Sequence, residues 1–488
     1  MFMSGNLVFG GNCISCCKPM FNYDKSYQLL RINKQLCSFS ADSRFLALAN
    51  QSNLIIKNTG TFDDYLTFVF DDIIEGMEWS PDSEYIVCYS FKKAVVQIFS
   101  ISYPDWKFKL TEGSSGLENV MWTPDSRHII TLADLNVQLS IWSLIDHSVM
   151  YIQCLKSSAT KGIEFSPNGK YLALIVTETG QDNVDIYKTR DWKLSRKLIC
   201  EGLSSIDGLC WSPNNEAMGI WCSIDGQAKL IVYSTLTESY EGVFCSEDNK
   251  LTDQIALGNQ FEEKLRGLEI VKWMPSGQLL AVSGHNEVVV LLNSLTWKPI
   301  LQLRLEPTIK ENNYLMRVFK ECIIKDVKDI NRPPDKTSAS NEKHILEEVG
   351  NRPVNIPIVK TDILIGADLS AITVNIIDTM EFSSCGQYLA LRHRVYPSTL
   401  WVWDIQTNGI DIFILQNTIS TVKWNPIHPQ LLIFTESFFI FEWNPRGVLC
   451  YRTPRGMTTL DARWHPSGDV VVLCGYNRAV IYPIHNDR

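Results

Sequence analysis

The stretch Trp122-Thr123-Pro124-Asp125-Ser126 decides the reading of this chain, because the chain repeats it. Close copies are Trp79-Ser80-Pro81-Asp82-Ser83, Phe165-Ser166-Pro167-Asn168-Gly169 and Trp211-Ser212-Pro213-Asn214-Asn215. Looser copies are Phe39-Ser40-Ala41-Asp42-Ser43, Trp273-Met274-Pro275-Ser276-Gly277, Phe382-Ser383-Ser384-Cys385-Gly386 and Trp464-His465-Pro466-Ser467-Gly468. A ninth, Trp424-Asn425-Pro426-Ile427-His428-Pro429, has a longer turn. Proline presets φ at the second turn position, and Asp, Asn or Gly tolerates or caps the bend that follows. The flanking residues alternate with period two, as in strands with one face in a core. Tyr171-Leu172-Ala173-Leu174 and Tyr388-Leu389-Ala390-Leu391 show the strand after the turn, with a small alanine suited to a crowded inner position.

Further out from each turn, about 15–20 residues on, comes a third apolar strand. Two of these end in a Trp-Asp-like signature, Leu139-Ser140-Ile141-Trp142-Ser143 and Leu400-Trp401-Val402-Trp403-Asp404. Val95-Val96-Gln97-Ile98-Phe99 and Leu230-Ile231-Val232-Tyr233 are diverged versions. A fourth strand fits before the next turn, as at Trp192-Lys193-Leu194 or Trp297-Lys298-Pro299-Ile300. The aromatic anchors 39, 79, 122, 165, 211, 273, 382, 424 and 464 are separated by 40, 43, 43, 46, 62, 109, 42 and 40 residues. Four strands per period of about 40–45 residues is the blade of a β-propeller of the WD-repeat type.

Nine anchors predict nine blades. After Tyr482 too little chain remains for an outer strand, whereas Ser26-Tyr27-Gln28-Leu29-Leu30-Arg31-Ile32 reads as a strand with no blade of its own. If it completes the last blade, the termini meet and the ring closes with few free edges. The expectation is an all-β, single closed ring; the alternative is two unequal propeller lobes parted near the longest interval. Residues 1–25 read as a non-blade extension and 26–488 as the propeller. The two long intervals hold insertions near 246–264 and 307–378, the second with a core at about 331–345 too poor in apolar residues to fold alone. Drift of an exposed loop accounts for such an insertion more readily than function does, although rigid scaffolds place function on loops.

Of the 488 residues 45% are hydrophobic, enough for a large core, and the net charge of -9 argues against nucleic acid as the main partner. The 14 cysteines are mostly isolated in apolar surroundings, as at Cys88, Cys210, Cys385 and Cys474, which suits reduced core thiols. Without an apolar run of membrane-spanning length or a secretory signal, the expectation is a soluble intracellular protein. Cys13-Ile14-Ser15-Cys16-Cys17 holds a Cys-x-x-Cys but no second ligand pair at metal spacing, so it reads as a tail with thiols. Neither a phosphate-cradling Gly-rich loop nor a Gly-x-Ser-x-Gly elbow occurs. His128 and His465 sit at blade turns, and Asp63-Asp64 and Asp71-Asp72 in connections, where structural roles suffice. The expectation is a non-catalytic scaffold with no cofactor, no metal site and no assignable partner-binding residues. Two other readings stay open: a translation-associated propeller, which would want basic faces, and a propeller enzyme, which would gather titratable groups at the ring centre.

Particular peptides carry a closer likeness. Tyr103-Pro104-Asp105-Trp106 through Glu112-Gly113-Ser114-Ser115-Gly116-Leu117, then Trp122 to Ile129, resembles the WD repeat-containing protein eight family, whose human member is encoded antisense to a p53-family gene. Ile141-Trp142-Ser143-Leu144, Ser148 to Ile152, Leu292 to Lys298 and Val402-Trp403-Asp404-Ile405-Gln406 fit the same family. The likeness runs from about Tyr27 to Tyr482; the N-terminal extension and both insertions depart from it. It implies a place in the cytoskeleton at the centrosome or spindle pole. There a coiled-coil adaptor of the afadin DIL-domain-interacting type, and in fungi a minus-end-directed kinesin, would be the partners. Microtubule minus-end anchoring, mitotic spindle assembly and cilium assembly would be the roles.

Overall fold

The computed structural model describes residues 29–483 apart from 113–115, 134–137, 154, 157–161, 201–202, 204, 224–228, 246–264, 266, 310–314, 326–341, 351–353, 358–376 and 454–456. The 1–25 extension with its Cys-x-x-Cys, residues 26–28 of the closing strand and the 246–264 insertion lie outside the described residues. Among the described residues every regular element is a strand. Nine sheets of four or more strands follow the nine anchors, and we number them as blades 1 to 9 in that order. Blade 1 is typical: Cys37–Phe39 innermost, then Phe45–Asn50, Asn53–Asn58 and Asp64–Val69 at the rim.

The ring closes as the sequence predicts. Leu30–Arg31 pairs with the third strand of blade 9, Arg478–Pro483, in antiparallel register, Leu30 opposite Ala479 and Arg31 opposite Arg478. The chain's beginning therefore supplies the outer strand of its last blade. Apolar packing shows the same closure. Nine buried clusters lie one between each pair of neighbouring blades, the ninth joining blade 9 to blade 1. One ring, not two lobes, is the architecture.

Each middle strand is covered on both faces by neighbouring blades, so the expected alternation fails there. Phe45–Asn50 and Ala217–Cys222 are buried almost residue by residue. Alternation survives at the rim, where Leu194–Ile199 leaves most side chains in solvent. The crowding explains the alanines: Ala47, Ala173, Ala281 and Ala390 are fully buried. The fourth strand of blade 4 begins at Leu194, two residues later than the Trp192 start expected. Trp192 instead occupies the preceding turn at φ +54°, and Trp297 of blade 6 does the same at +56°. Trp297 lies across Trp273 with ring centroids 5.9 Å apart and against Gly242 of blade 5, where a Cβ would come within 2.4 Å of the indole.

The repeated turn does more than reverse the chain. In blade 2 the Asp82 carboxylate accepts from the Ser80 hydroxyl at 2.6 Å and the Glu84 N–H at 3.1 Å, while Ser83 takes φ +63°. That left-handed position recurs as Ser43, Ser126, Gly169, Asn215, Gly277, Gly386 and Gly468. The turns also hold hands around the ring. The Asp42 N–H donates to Ser83 Oγ at 3.1 Å, the Asp82 N–H to Ser126 Oγ at 3.0 Å, and the Asn168 N–H to Asn215 Oδ1 at 2.7 Å. The anchoring indoles do likewise deeper in: Trp79, Trp122, Trp211, Trp424 and Trp464 each donate Nε1–H to a carbonyl of the preceding blade. Tryptophan suits the position because it buries a large apolar surface and still brings a donor.

Candidate interaction surface

The largest departure from nine equal blades is at blade 7 (Ile377–Phe382, Tyr388–His393, Thr399–Asp404 and Gly409–Ile414). The insertion before it does not hang free. Met316–Lys325 runs parallel to the rim strand Gly409–Ile414, Val318 opposite Ile412, and Glu342–Glu348 pairs antiparallel outside it, which makes a six-stranded sheet. Thr308–Ile309 and Val354–Asn355 form a small ladder beside it. Of the stretch expected to be disordered, 331–341 lies outside the described residues, and 342–345 belongs to the second added strand.

Alternate side chains of Met316–Lys325 dock on the two sides of blade 7. Val318 enters the cluster between blades 6 and 7. Phe319 stacks on Phe413 at 5.4 Å in the cluster between blades 7 and 8. Two polar anchors fix the register. The Arg317 guanidinium grips Asp411 with Nε at 2.8 Å and Nη2 at 2.5 Å, and Trp443 Nε1–H of blade 8 donates to the same carboxylate at 2.6 Å. A fork-shaped cation matched to a carboxylate gives both energy and orientation. The hydrogen bonds to Asp411, together with its charge, raise the Arg317 pKa above its ordinary value. Four residues on, the buried Glu321 accepts the Gln416 N–H at 2.7 Å and lies 2.5 Å from His344 Nδ1, whose ring stacks on Phe439 of blade 8 at 3.8 Å.

These anchors leave shallow concavities on both flanks of the added strand. One of about 350 Å³, toward blade 8, has Phe319, Leu346 and Val448 in its floor and Arg317, Arg446 and Glu348 at its edge. Beside it a smaller one of about 200 Å³ reaches Tyr388, Asp404 and Trp443. On the blade 6 side a third, of about 360 Å³, is lined by Leu301, Met316, Trp401, Trp403 and Ile412, with Arg304 at the edge. Apolar floors rimmed by Arg, Trp and Tyr are the composition of protein-binding hot spots. No sequence signal placed these residues together, since Arg317 and Asp411 are 94 positions apart.

The ring centre tells a different story. The residue before each aromatic anchor lies on an innermost strand, and where it is charged it mostly serves the neighbouring blade. Lys272 of blade 6 pairs with Glu381 of blade 7 at 2.6 Å, while Lys423 of blade 8 and Arg463 both meet Asp461 of blade 9. Glu164 Oε2 accepts the Trp211 N–H at 3.0 Å, satisfying an edge donor of blade 5. Burial pushes the carboxyl groups of Glu164 and of Glu78, its counterpart in blade 2, up to about 7. Each belongs to a blade-to-blade link, and among the described residues no three His, Cys, Asp or Glu side chains gather as a metal site would require. The other residues singled out in the sequence are structural too. His128 Nδ1 lies 2.8 Å from Asp125 in its own turn, and His465 Nε2 lies 3.1 Å from the Ser43 carbonyl across the closure. Asp64 pairs with Lys57, Asp71 with Lys109 and Asp72 with Lys93. Among the described residues no helix is long and apolar enough to cross a membrane.

The mouse WD repeat-containing protein WRAP73 is 30% identical to this chain over 465 residues, 93% of each. The chain belongs to the WRAP73 family of WD-repeat proteins. A fission yeast relative (Schizosaccharomyces pombe, strain 972), the WD repeat-containing protein C32H8.09, is 19% identical over 94% of this chain and 92% of its own. The family description for eukaryotic translation initiation factor eIF2A matches residues 34–199, blades 1 to 4. Among solved structures, the C-terminal WD40 domain of Sif2 aligns over 97% of this chain and 100% of its own at 11% identity and a TM-score of 0.48. In form the chain is a WD-repeat propeller of scaffold type, its neighbouring blades linked by buried apolar clusters and inter-blade hydrogen bonds.

Proposed function

We propose that the chain is a non-catalytic adaptor of the centrosome and spindle pole. It binds a coiled-coil protein of the afadin DIL-domain-interacting type, and through it a minus-end-directed kinesin, to anchor microtubule minus ends in spindle assembly and cilium formation. Family membership along nearly the whole ring supports this reading, as do the blade-specific peptides from Tyr103 to Gln406. The observation that carries it is the built-out rim of blade 7. A rigid sheet extension with an apolar floor and charged edges suits the apolar stripe and flanking charges of an amphipathic helix. The test is affinity capture of the tagged chain from dividing cells, with imaging against a spindle-pole marker, alongside an Arg446→Glu, Glu348→Lys variant that reverses the charges on the exposed edge of the concavity. The parent is expected at the poles with the coiled-coil partner, and the variant is expected to lose both while remaining folded. Capture without that partner, and diffuse signal, would sink the reading.

The eIF2A match favours a second reading, a translation-associated propeller that contacts ribosomal components. It covers about a third of the chain, and the net charge of -9 opposes a ribosomal RNA surface. Co-sedimentation of the chain with small ribosomal subunits at physiological salt would establish it over the first.

A further inference from the structure

The seam that closes the ring holds a pair of thiols. Cys37 opens the innermost strand of blade 1 and Cys474 ends the second strand of blade 9, Val470–Cys474. Their sulfurs are 3.1 Å apart across 437 positions of sequence. That is about 1 Å longer than the ~2.05 Å of a disulfide bond. Both side chains are buried in one apolar cluster with Leu30, Ile32, Leu46, Leu48 and Val472, so neither sulfur has room to turn away. The polar closure beside them is short: two residues of outer strand, the Ile32 N–H donated to the Asn477 carbonyl at 3.1 Å, and His465, which contacts the Ser43 carbonyl and packs edge-on against Phe39.

We infer that Cys37 and Cys474 are a redox modification site, oxidised by a peroxide to a disulfide that staples blade 1 to blade 9. One thiol attacks a peroxide oxygen to give a sulfenic acid and water; the other displaces a second water from that sulfur and forms the S–S bond. Two thiols lose two electrons and two protons, and hydrogen peroxide is reduced to two waters. Reaction at the intact seam is slow. The hydrogen bond with the neighbouring Cys37 thiol, and then burial, hold the Cys474 thiol well above the usual range, although the Arg463 guanidinium opposes this. Oxidation therefore proceeds through openings of the seam and then locks it shut, because closing a loop of this length removes much of the freedom of the unfolded chain.

The test uses the full chain, purified reduced and exposed to hydrogen peroxide, then alkylated and digested with trypsin. Trypsin releases 35–44 and 464–478, each with a single cysteine, so the cross-link appears as one linked peptide pair. We expect that pair to form, to vanish with dithiothreitol, and to be absent in Cys474→Ser. We also expect the melting temperature to rise by about 5 °C or more. The exposed Cys385 reports that the oxidant acted. Oxidation of Cys385 without the linked pair, even after long exposure in mild denaturant, overturns the inference; so does a linked pair with an unchanged melting temperature.

Discussion

The interface between blades 6 and 7 and the seam between blades 9 and 1 perform one task with very different means. The first buries 18 apolar residues in one cluster, enlarged by Ile309, Val318 and Ile356 from the insertion. The second buries 8, of which Leu30 and Ile32 come from the short closing segment. Blades 6 and 7 are joined covalently through the insertion, yet they carry the heavier packing. Blades 9 and 1 are joined along the chain only through the two-residue closing strand Leu30–Arg31, and an edge carbonyl, a histidine and two thiols supplement the lighter core. A closed ring is only as durable as its least packed interface, since opening any one exposes two sheet faces. The insertion thus spends its apolar residues far from the seam, on building out blade 7, which is what a surface for a partner requires.

Trp401→Ala, in the heavier interface at 1% exposure, has the largest expected effect, about 3–5 kcal/mol by chemical denaturation. A loss under about 1 kcal/mol would show that blade 7 is not packed as described. Arg317→Ala follows at about 2–3 kcal/mol, because it strands the buried Asp411 carboxylate. Arg317→Ala, Asp411→Ala should recover part of that loss, and amide exchange in 316–325 should quicken in the single variant; unchanged exchange would mean that the strand is held by other contacts. His465→Ala removes the bond to blade 1 and should cost about 1 kcal/mol. Its distinguishing effect is faster exchange at Leu30 and Ile32 with blade 7 untouched; uniform change would contradict a local role at the seam.

A further effect is a pH dependence at an ordinary interface, blades 4 and 5. Burial raises the Glu164 carboxyl from 4.5 to about 7, so the folded chain favours the protonated form more than the unfolded chain does. Its contribution is complete below about pH 4.5 and is lost as the pH climbs through about 7. Glu164→Gln keeps an acceptor for the Trp211 N–H and abolishes the titration. The variant should melt above the parent at about pH 8 and level with it near pH 5. An advantage that persists unchanged at low pH would rule out this cause.

Much of the ring was legible from residues alone because its signals are local. The turn needs Pro, Asp or Asn and a tolerant fourth position within five residues, and nine such turns at blade spacing lead to the expectation of nine blades. The missing outer strand of blade 9 and the unclaimed strand before Phe39 pointed to closure by the same local logic. The anchors' partners were not legible. Nothing beside Trp79 announces that its N–H is meant for the Ser38 carbonyl of the preceding blade, nor that Glu164 serves Trp211. The double-sided burial of the middle strands was hidden too, since periodicity reports one covered face and a blade between two neighbours has both covered.

The insertion marks the boundary most sharply. Its composition identified a non-repeating stretch of the right length and position. Whether it would lie free or join a sheet depended on an open edge at Gly409–Ile414 and on Asp411 and Phe413 waiting there, some 90 residues downstream. The sequence alone determined the repeat and its turn chemistry, because they rest on a short-range pattern present many times, and it pointed to nine blades with a closing strand; that these form one ring and not two lobes was decided by the structure. Tertiary structure alone decided where the extra strands dock, which charges meet and where the concavities lie. Those follow from edges and faces that exist only once the ring has formed.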